Sequence, residues 1–253
     1  MSAKKTTIKD LADNPVQRLA SCLVLDTSYS MNGKREDPKK PIDELNQAVS
    51  LYMKTISENS KTKEKVEIAI VTFGSSEFSA TLSEHKQDPK KGVKKILDFG
   101  SVEDAEVPIF VAGGYTPMGE AVDLALDMLE KRKMEYKDTI GGYEQPWLVL
   151  MTDGYPYDYK SSMEHFGKYH GKSINNAATR SYELDKKKKL TVLPVAIGDE
   201  ANVEILKKFS YTNNPVRINN LNFEEFFRFL SQSQADPDKG FIMGETPDLE
   251  EII

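Results

Sequence analysis

Apolar positions along the chain fall into short unbroken runs separated by helical stripes. Residues 19–25 (LASCLVL) are almost all apolar and lead into Asp26. A run without alternation is buried on both faces, which marks a central strand of a parallel sheet. Residues 66–73 (VEIAIVTF), 147–152 (WLVLMT) and 190–197 (LTVLPVAI) repeat the pattern, and 216–218 predicts one more short strand. Between these runs the period changes to that of a helix face. Pro41 opens a helix with the stripe Ile42, Leu45, Val49, Tyr52, Met53 and Ile56, Pro being favoured at the first helical position. A second stripe runs Met118, Ala121, Val122, Ala125, Met128 and Leu129; further helices are predicted over 175–188, near 203–209, and over 222–233 with Phe223, Phe226, Phe227 and Leu230 inward.

Two stretches break this rhythm. After the turn Gly74-Ser75-Ser76, the residues Phe78, Ala80 and Leu82 alternate with polar ones. That pattern predicts a half-buried edge strand, antiparallel by hairpin. Residues 84–110 are charged and irregular, with a short helix expected over 92–97. Strands alternating with helices predict an α/β fold of three layers, a doubly wound, mostly parallel sheet with one antiparallel edge strand. Ligands of such sheets bind at the carboxyl ends of the strands. The organisation expected is a polar arm over 1–18, one domain over 19–235 and an acidic tail over 236–253.

Charge narrows the function. The 34 Lys and Arg against 40 Asp and Glu leave a net charge of −6, so no broad basic field exists for nucleic acid. The single cysteine, Cys22, lies inside an apolar run and excludes an intrachain disulfide. With no apolar stretch of membrane-spanning length and no secretory leader, a cytoplasmic protein without membrane contact is expected.

Three polar clusters stand at predicted strand ends or helix starts: Asp26-Thr27-Ser28-Tyr29-Ser30, then Thr116, then Asp153. They offer two carboxylates and three hydroxyls, with no His or Cys. Hard oxygen donors of this kind suit Mg²⁺ most, then Mn²⁺ or Ca²⁺, and disfavour Zn²⁺ or Cu. In an extended loop alternate residues point the same way, so Asp26, Ser28 and Ser30 can converge on one point. Two carboxylates neutralise a divalent ion while supplying few bonds to it. An open coordination position would then favour an anionic oxygen from a partner. Thr116, just before Pro117, also reads as a helix N-cap. His85, His165 and His170 lie in polar surroundings and read as surface residues.

The strings LVLDTSYSM, GGYTPMG and LVLMTDG, in that order, resemble the von Willebrand factor A domain and its metal-ion-dependent adhesion site. The DxSxS motif of that family falls on Asp26, Ser28 and Ser30, its loop threonine on Thr116 and its strand-end aspartate on Asp153. The resemblance covers residues 19–230. It implies that the two serines and the threonine touch the metal, with the aspartates acting directly or through water. The strings PIDELNQAV, VTFGS, GGYTPMGEAVDLAL, PWLVLMTDGYPYD and VLPVAIG are most similar to TerY-type proteins of bacterial tellurium-resistance and stress operons. Tyr29 departs from that pattern, since many relatives have Gly there, and 155–173 matches no shared feature.

The function expected is therefore a non-enzymatic, metal-dependent protein-binding module. It would take an Asp or Glu of a partner, expected to be a product of the same operon, through a divalent cation. The competing expectation is a Mg²⁺-dependent hydrolase or phosphatase with Asp26 as nucleophile. Against it, Ser28 stands where aspartyl phosphatases carry a second Asp. A third idea lets the acidic tail enter the metal site as a blocking carboxylate. Tyr155, Tyr157 and Tyr159 are candidates for a partner-contact rim.

Overall fold

The computed structural model describes residues 16–33, 40–77, 88–103, 105–107, 109–156, 170–220, 222–241 and 249–252. The strands are β1 (Leu19–Asp26), β2 (Val66–Phe73), β3 (Val93–Leu97), β4 (Trp147–Thr152), β5 (Thr191–Ile197), β6 (Val216–Ile218) and β7 (Leu249–Glu251). The helices are α1 (Pro41–Glu58), α2 (Met118–Thr139), α3 (His170–Lys186), the single turn α4 (Val203–Leu206) and α5 (Phe223–Ala235).

The sheet order is β3-β2-β1-β4-β5-β6-β7. Strands β2, β1, β4, β5 and β6 run parallel, while β3 and β7 close the two edges antiparallel. Every residue of β1, β2 and β4 is buried, as their apolar runs predict, the charged Glu67 of β2 included. Alternate side chains serve the two faces. Leu19, Leu23 and Leu25 pack with α1 and α5, and Ala20, Cys22 and Val24 with α2 and α3. The small residues on the second side, with Ala121, Ala125 and Ala177, let α2 and α3 approach the sheet closely. Gly119 lets α2 pack against α3 itself: a Cβ there would stand 2.6 Å from Ser173 Oγ and 2.7 Å from Ile174 N.

Two buried polar groups tie the layers. Glu67 on β2 accepts from Arg132 Nε and a terminal nitrogen at 2.7 and 2.8 Å, and from the Tyr136 hydroxyl. On the opposite face, Tyr52 of α1 donates to Gln234 of α5 at 2.6 Å, and Gln234 donates to Ser21 of β1 at 2.9 Å.

Two expectations change and one lies beyond reach. Residues 93–97 (VKKIL) form the edge strand β3, where a short helix was expected. The alternating stretch at Phe78, Ala80 and Leu82 lies outside the described residues, as do His85, His165, Tyr157, Tyr159 and most of the arm. The acidic tail contributes a strand: β7 pairs Leu249 with Ile218 and Glu251 with Val216. Because β7 runs antiparallel, Glu250 and Glu251 lead away from the carboxyl edge of the sheet, so this strand cannot carry its own acids into a site there.

Candidate metal centre

The strand order reverses between β1 and β4. The chain builds outward from β1 through β2 to β3, then returns to lay β4 on the other side of β1. The loops leaving β1 and β4 therefore diverge and leave a crevice at the carboxyl edge, the usual ligand site of open α/β sheets. Asp26 ends β1, and Asp153 follows β4 directly.

The first loop is held tightly. Thr27 continues the ladder with its N–H to Phe73 O at 2.7 Å, and its hydroxyl reaches the carbonyls of Phe73 and Gly74 at 3.1 and 2.9 Å. Asp26 Oδ1 accepts from Ser28 N at 2.8 Å, which folds the loop back over the strand end. Gly74 has φ +109°, and a Cβ there would sit 2.2 Å from Ser28 N. Only glycine lets β2 leave the sheet beneath this loop. The loop then turns into a short 3-10 helix, Tyr29–Asn32.

Four of the five candidate residues meet. Ser28 Oγ and Ser30 Oγ are 3.0 Å apart, and Ser30 Oγ donates to Asp153 Oδ1 at 2.7 Å. Asp26 Oδ2 accepts from Thr152 Oγ1 at 2.6 Å. The fifth, Thr116, is half-buried on a loop bonded to the first one: Gly113 N donates to Thr27 O at 2.8 Å, and Tyr29 N to Gly114 O at 3.1 Å. Thr116 is not a helix cap. The N-cap of α2 is Pro117, with no side-chain cap bond, and the Thr116 hydroxyl makes no hydrogen bond among the described residues. Thr152, Thr27 and Gly74 also shape the site; the sequence reading gave none of them a part in holding it, placing Thr27 only within the first polar cluster and Gly74 only in a turn. Thr152, immediately before Asp153 at a strand end, was the one with a visible signal.

Electrostatics sharpen the picture. Asp26 is fully buried, and loss of water pushes its carboxyl up against the lowering effect of the Ser28 and Thr152 hydrogen bonds. Asp153 is pushed up to about 7, first by burial and then by the charge of Asp26, with the Ser30 hydrogen bond opposing. Among the described residues no lysine, arginine or histidine pairs with either carboxylate. Two close, desolvated acids without a counter-charge make a cation-seeking site.

The donor set fits a small hard cation. Ligand oxygens along the edge of an octahedral magnesium shell stand about 3 Å apart, and the Ser28 and Ser30 hydroxyls are set at 3.0 Å. Among the described residues there is no group of three or more His, Cys, Asp and Glu that could hold a metal, so a cation here would rely on hydroxyls beside only two carboxylates.

Comparison with known proteins agrees with this architecture. The family model for the von Willebrand factor type A domain matches residues 22–155. A pilus adhesin, SpaC from Lactobacillus rhamnosus GG, aligns with TM-score 0.62 at 14% identity over 88% of this chain and 31% of its own. The von Willebrand factor type A protein of Catenulispora acidiphila gives 0.56 at 13% identity over 87% of this chain and 43% of its own. The corresponding domain of the pilus tip protein Mfa5 from Porphyromonas gingivalis gives 0.56 at 11% identity over 92% and 99%. The chain thus spans less than half the length of the first two, and the likeness to all three is one of fold. No curated protein sequence matches. With the model spanning more than half the chain and the sheet order established, the protein belongs to the von Willebrand factor type A domain family.

Proposed function

We propose that the protein is a divalent-cation-dependent protein-binding module. Asp26, Ser28, Ser30, Thr116 and Asp153 would hold the ion, Mg²⁺ before Mn²⁺ or Ca²⁺. The observation that carries this reading is the meeting of the Ser28, Ser30 and Asp153 oxygens, at 3.0 and 2.7 Å, beside a second buried carboxylate and, among the described residues, without a cationic side chain paired to either acid. When bound, the ion supplies a Lewis-acidic point that accepts an anionic oxygen. The chain's own residues do the rest. Ser28 and Ser30 present neutral donors, Asp26 and Asp153 balance the charge, and Thr152 and the Ser28 N–H orient Asp26. A shell with few charged ligands leaves affinity for an outside carboxylate, so the partner is a protein presenting Asp or Glu. Its resemblance to TerY-type proteins supports a cytoplasmic role beside the products of a bacterial stress or tellurium-resistance operon.

The hydrolase alternative draws less support. Among the described residues no base or cationic clamp bonds to Asp26, and Ser28 stands two residues after it. The experiment is isothermal calorimetry with Mg²⁺ and Mn²⁺, followed by capture of operon neighbours with and without EDTA. Metal binding by wild type, lost in Asp26→Ala together with EDTA-sensitive capture, is the expected result. Partner capture that ignores EDTA would overturn the reading. Magnesium-dependent turnover of an aryl phosphate that Asp26→Asn abolishes would restore the hydrolase.

A further inference from the structure

Among the described residues the three most exposed large apolar side chains are Ile109, Val111 and Tyr29, at 82, 80 and 70%. All three lie on the two loops that meet at the candidate metal centre. The loop carrying Ile109 and Val111 is pinned. Phe110, between them, is buried at 5% exposure. Asn46 of α1 holds the Phe110 peptide at both ends, accepting from its N–H at 2.7 Å and donating to its carbonyl at 2.9 Å. Farther along, Asn32 Nδ2 donates to Ala112 O at 3.5 Å, and the Gly113 and Gly114 bonds described above join this loop to the Asp26–Ser30 loop. An anchored aromatic with its peptide clamped turns its two neighbours outward. Tyr155, two residues beyond Asp153, adds a ring that is 44% exposed.

A loop so fixed has little conformational freedom left to lose when it is covered, and β-branched side chains give up little rotamer freedom. Exposed aliphatic side chains on such a loop are a surface prepared for burial rather than a slack connection. The occupant follows from charge complementarity. Two carboxylates around a divalent ion leave no net charge to draw a cationic partner, while the ion draws an anionic oxygen. The apolar surroundings in turn disfavour a bare small anion, which cannot cover them.

We infer that Ile109, Val111 and Tyr29 form an apolar rim that receives a partner protein segment whose Asp or Glu is flanked by aliphatic or aromatic side chains. This rests on the metal-dependent reading above: the acid meets the ion, and its neighbours cover the rim. Burial of the two aliphatic side chains contributes about tenfold or more to affinity.

The test is selection from a display library of random peptides on immobilised full-length protein, in Mn²⁺ and in EDTA. Expected is EDTA-sensitive enrichment of Asp or Glu with Ile, Leu, Val or Phe within three positions. The double variant Ile109→Ser, Val111→Ser should lose that apolar preference and bind the selected peptides about tenfold or more weakly. Its Mn²⁺ titration should be unchanged, and these exposed positions leave the fold intact by circular dichroism. Enrichment of acids without apolar neighbours, or equal peptide binding by the variant, overturns the rim and leaves the metal-dependent reading standing. No EDTA-sensitive enrichment overturns both. Binding of wild type to phosphatidylglycerol vesicles, or a dimer in sedimentation, that the double variant abolishes assigns the patch to a membrane or a second copy and likewise overturns the proposal.

Discussion

Replacing Asp26 by Asn should stabilise the metal-free protein while destroying its response to magnesium. The fit is good for an isosteric change. Asp26 is fully buried, with Oδ1 accepting from Ser28 N at 2.8 Å and Oδ2 accepting from Thr152 Oγ1 at 2.6 Å. An asparagine oxygen can keep the first bond, and its amide can donate to the Thr152 hydroxyl, which both donates and accepts. The change removes a charge and little else. Without a cation that charge is unfavourable, because burial and then the Asp26 charge push Asp153 up to about 7 from an ordinary 3.8. Ionising Asp153 against that shift costs about 4 kcal/mol. Asp26 is the second cause, after burial, so removing its charge relieves part of that cost. The sign with pH follows from linkage. The folded-state carboxyl titrates above the unfolded one, so wild-type stability falls as pH rises from about 4 to about 7 and stays low above that. Asp26→Asn should flatten that fall and raise Tm in EDTA at neutral pH, by about 2–4 °C for each kcal/mol of repulsion relieved. Magnesium reverses the order: at a hundredfold excess over Kd it stabilises wild type by about 2.7 kcal/mol and the variant by almost nothing. Thermal melts in EDTA and in magnesium, from acid to neutral pH, read both effects. A variant less stable than wild type in EDTA would refute the electrostatic reasoning and make the carboxylate a loop cap. Equal stabilisation of both proteins by magnesium would refute its role at the metal.

Further outcomes follow from the same geometry. Gly74→Ala should cost about 1–3 kcal/mol in chemical denaturation, from its positive φ, and should weaken Mn²⁺ binding because the new Cβ displaces Ser28. Ser30→Ala removes the bond to Asp153 and a candidate donor; calorimetry should show weaker Mn²⁺ binding with an unchanged far-ultraviolet spectrum. Among the described residues Arg132→Met leaves Glu67 buried with only Tyr136 and should cost about 3–5 kcal/mol. Adding Glu67→Gln should recover much of that loss in urea melts, with metal binding unaffected.

The central layer was legible because β1, β4 and β5 are nearly unbroken apolar runs, β2 is interrupted mainly by Glu67, and the long helices show apolar stripes. LASCLVLD and WLVLMTD also announce their polar ends, so the carboxyl edge could be named before any coordinates. Residues 93–97 were not legible as a strand. An edge strand buries little, and its Lys94 and Lys95 face solvent, so VKKIL carries neither an apolar run nor a clean alternation. The three-residue β7 is too short to show a period, and its order comes from pairing with β6. Helix α3 begins in HGKSINN, where polar residues hide the first turn. Thr116 was ambiguous because Thr-Pro is a good helix start; Pro117 instead takes the cap position and leaves Thr116 on the loop. The approach of Ser30 to Asp153 joins residues 123 positions apart, and only the strand order makes them neighbours. Ile109 sat at the end of a stretch that looked merely irregular, with Val111 just beyond it, since the Asn46 clamp on Phe110 has no sequence signal.

The central claim is that these oxygens share one cation, and anomalous diffraction from crystals grown in millimolar manganese tests it most directly. The expected result is a single strong manganese peak bonded to the Ser28 and Ser30 hydroxyls, with Thr116, Asp26 and Asp153 around it directly or through water. A manganese-free map at that position, with the Ser30–Asp153 hydrogen bond intact, would contradict it.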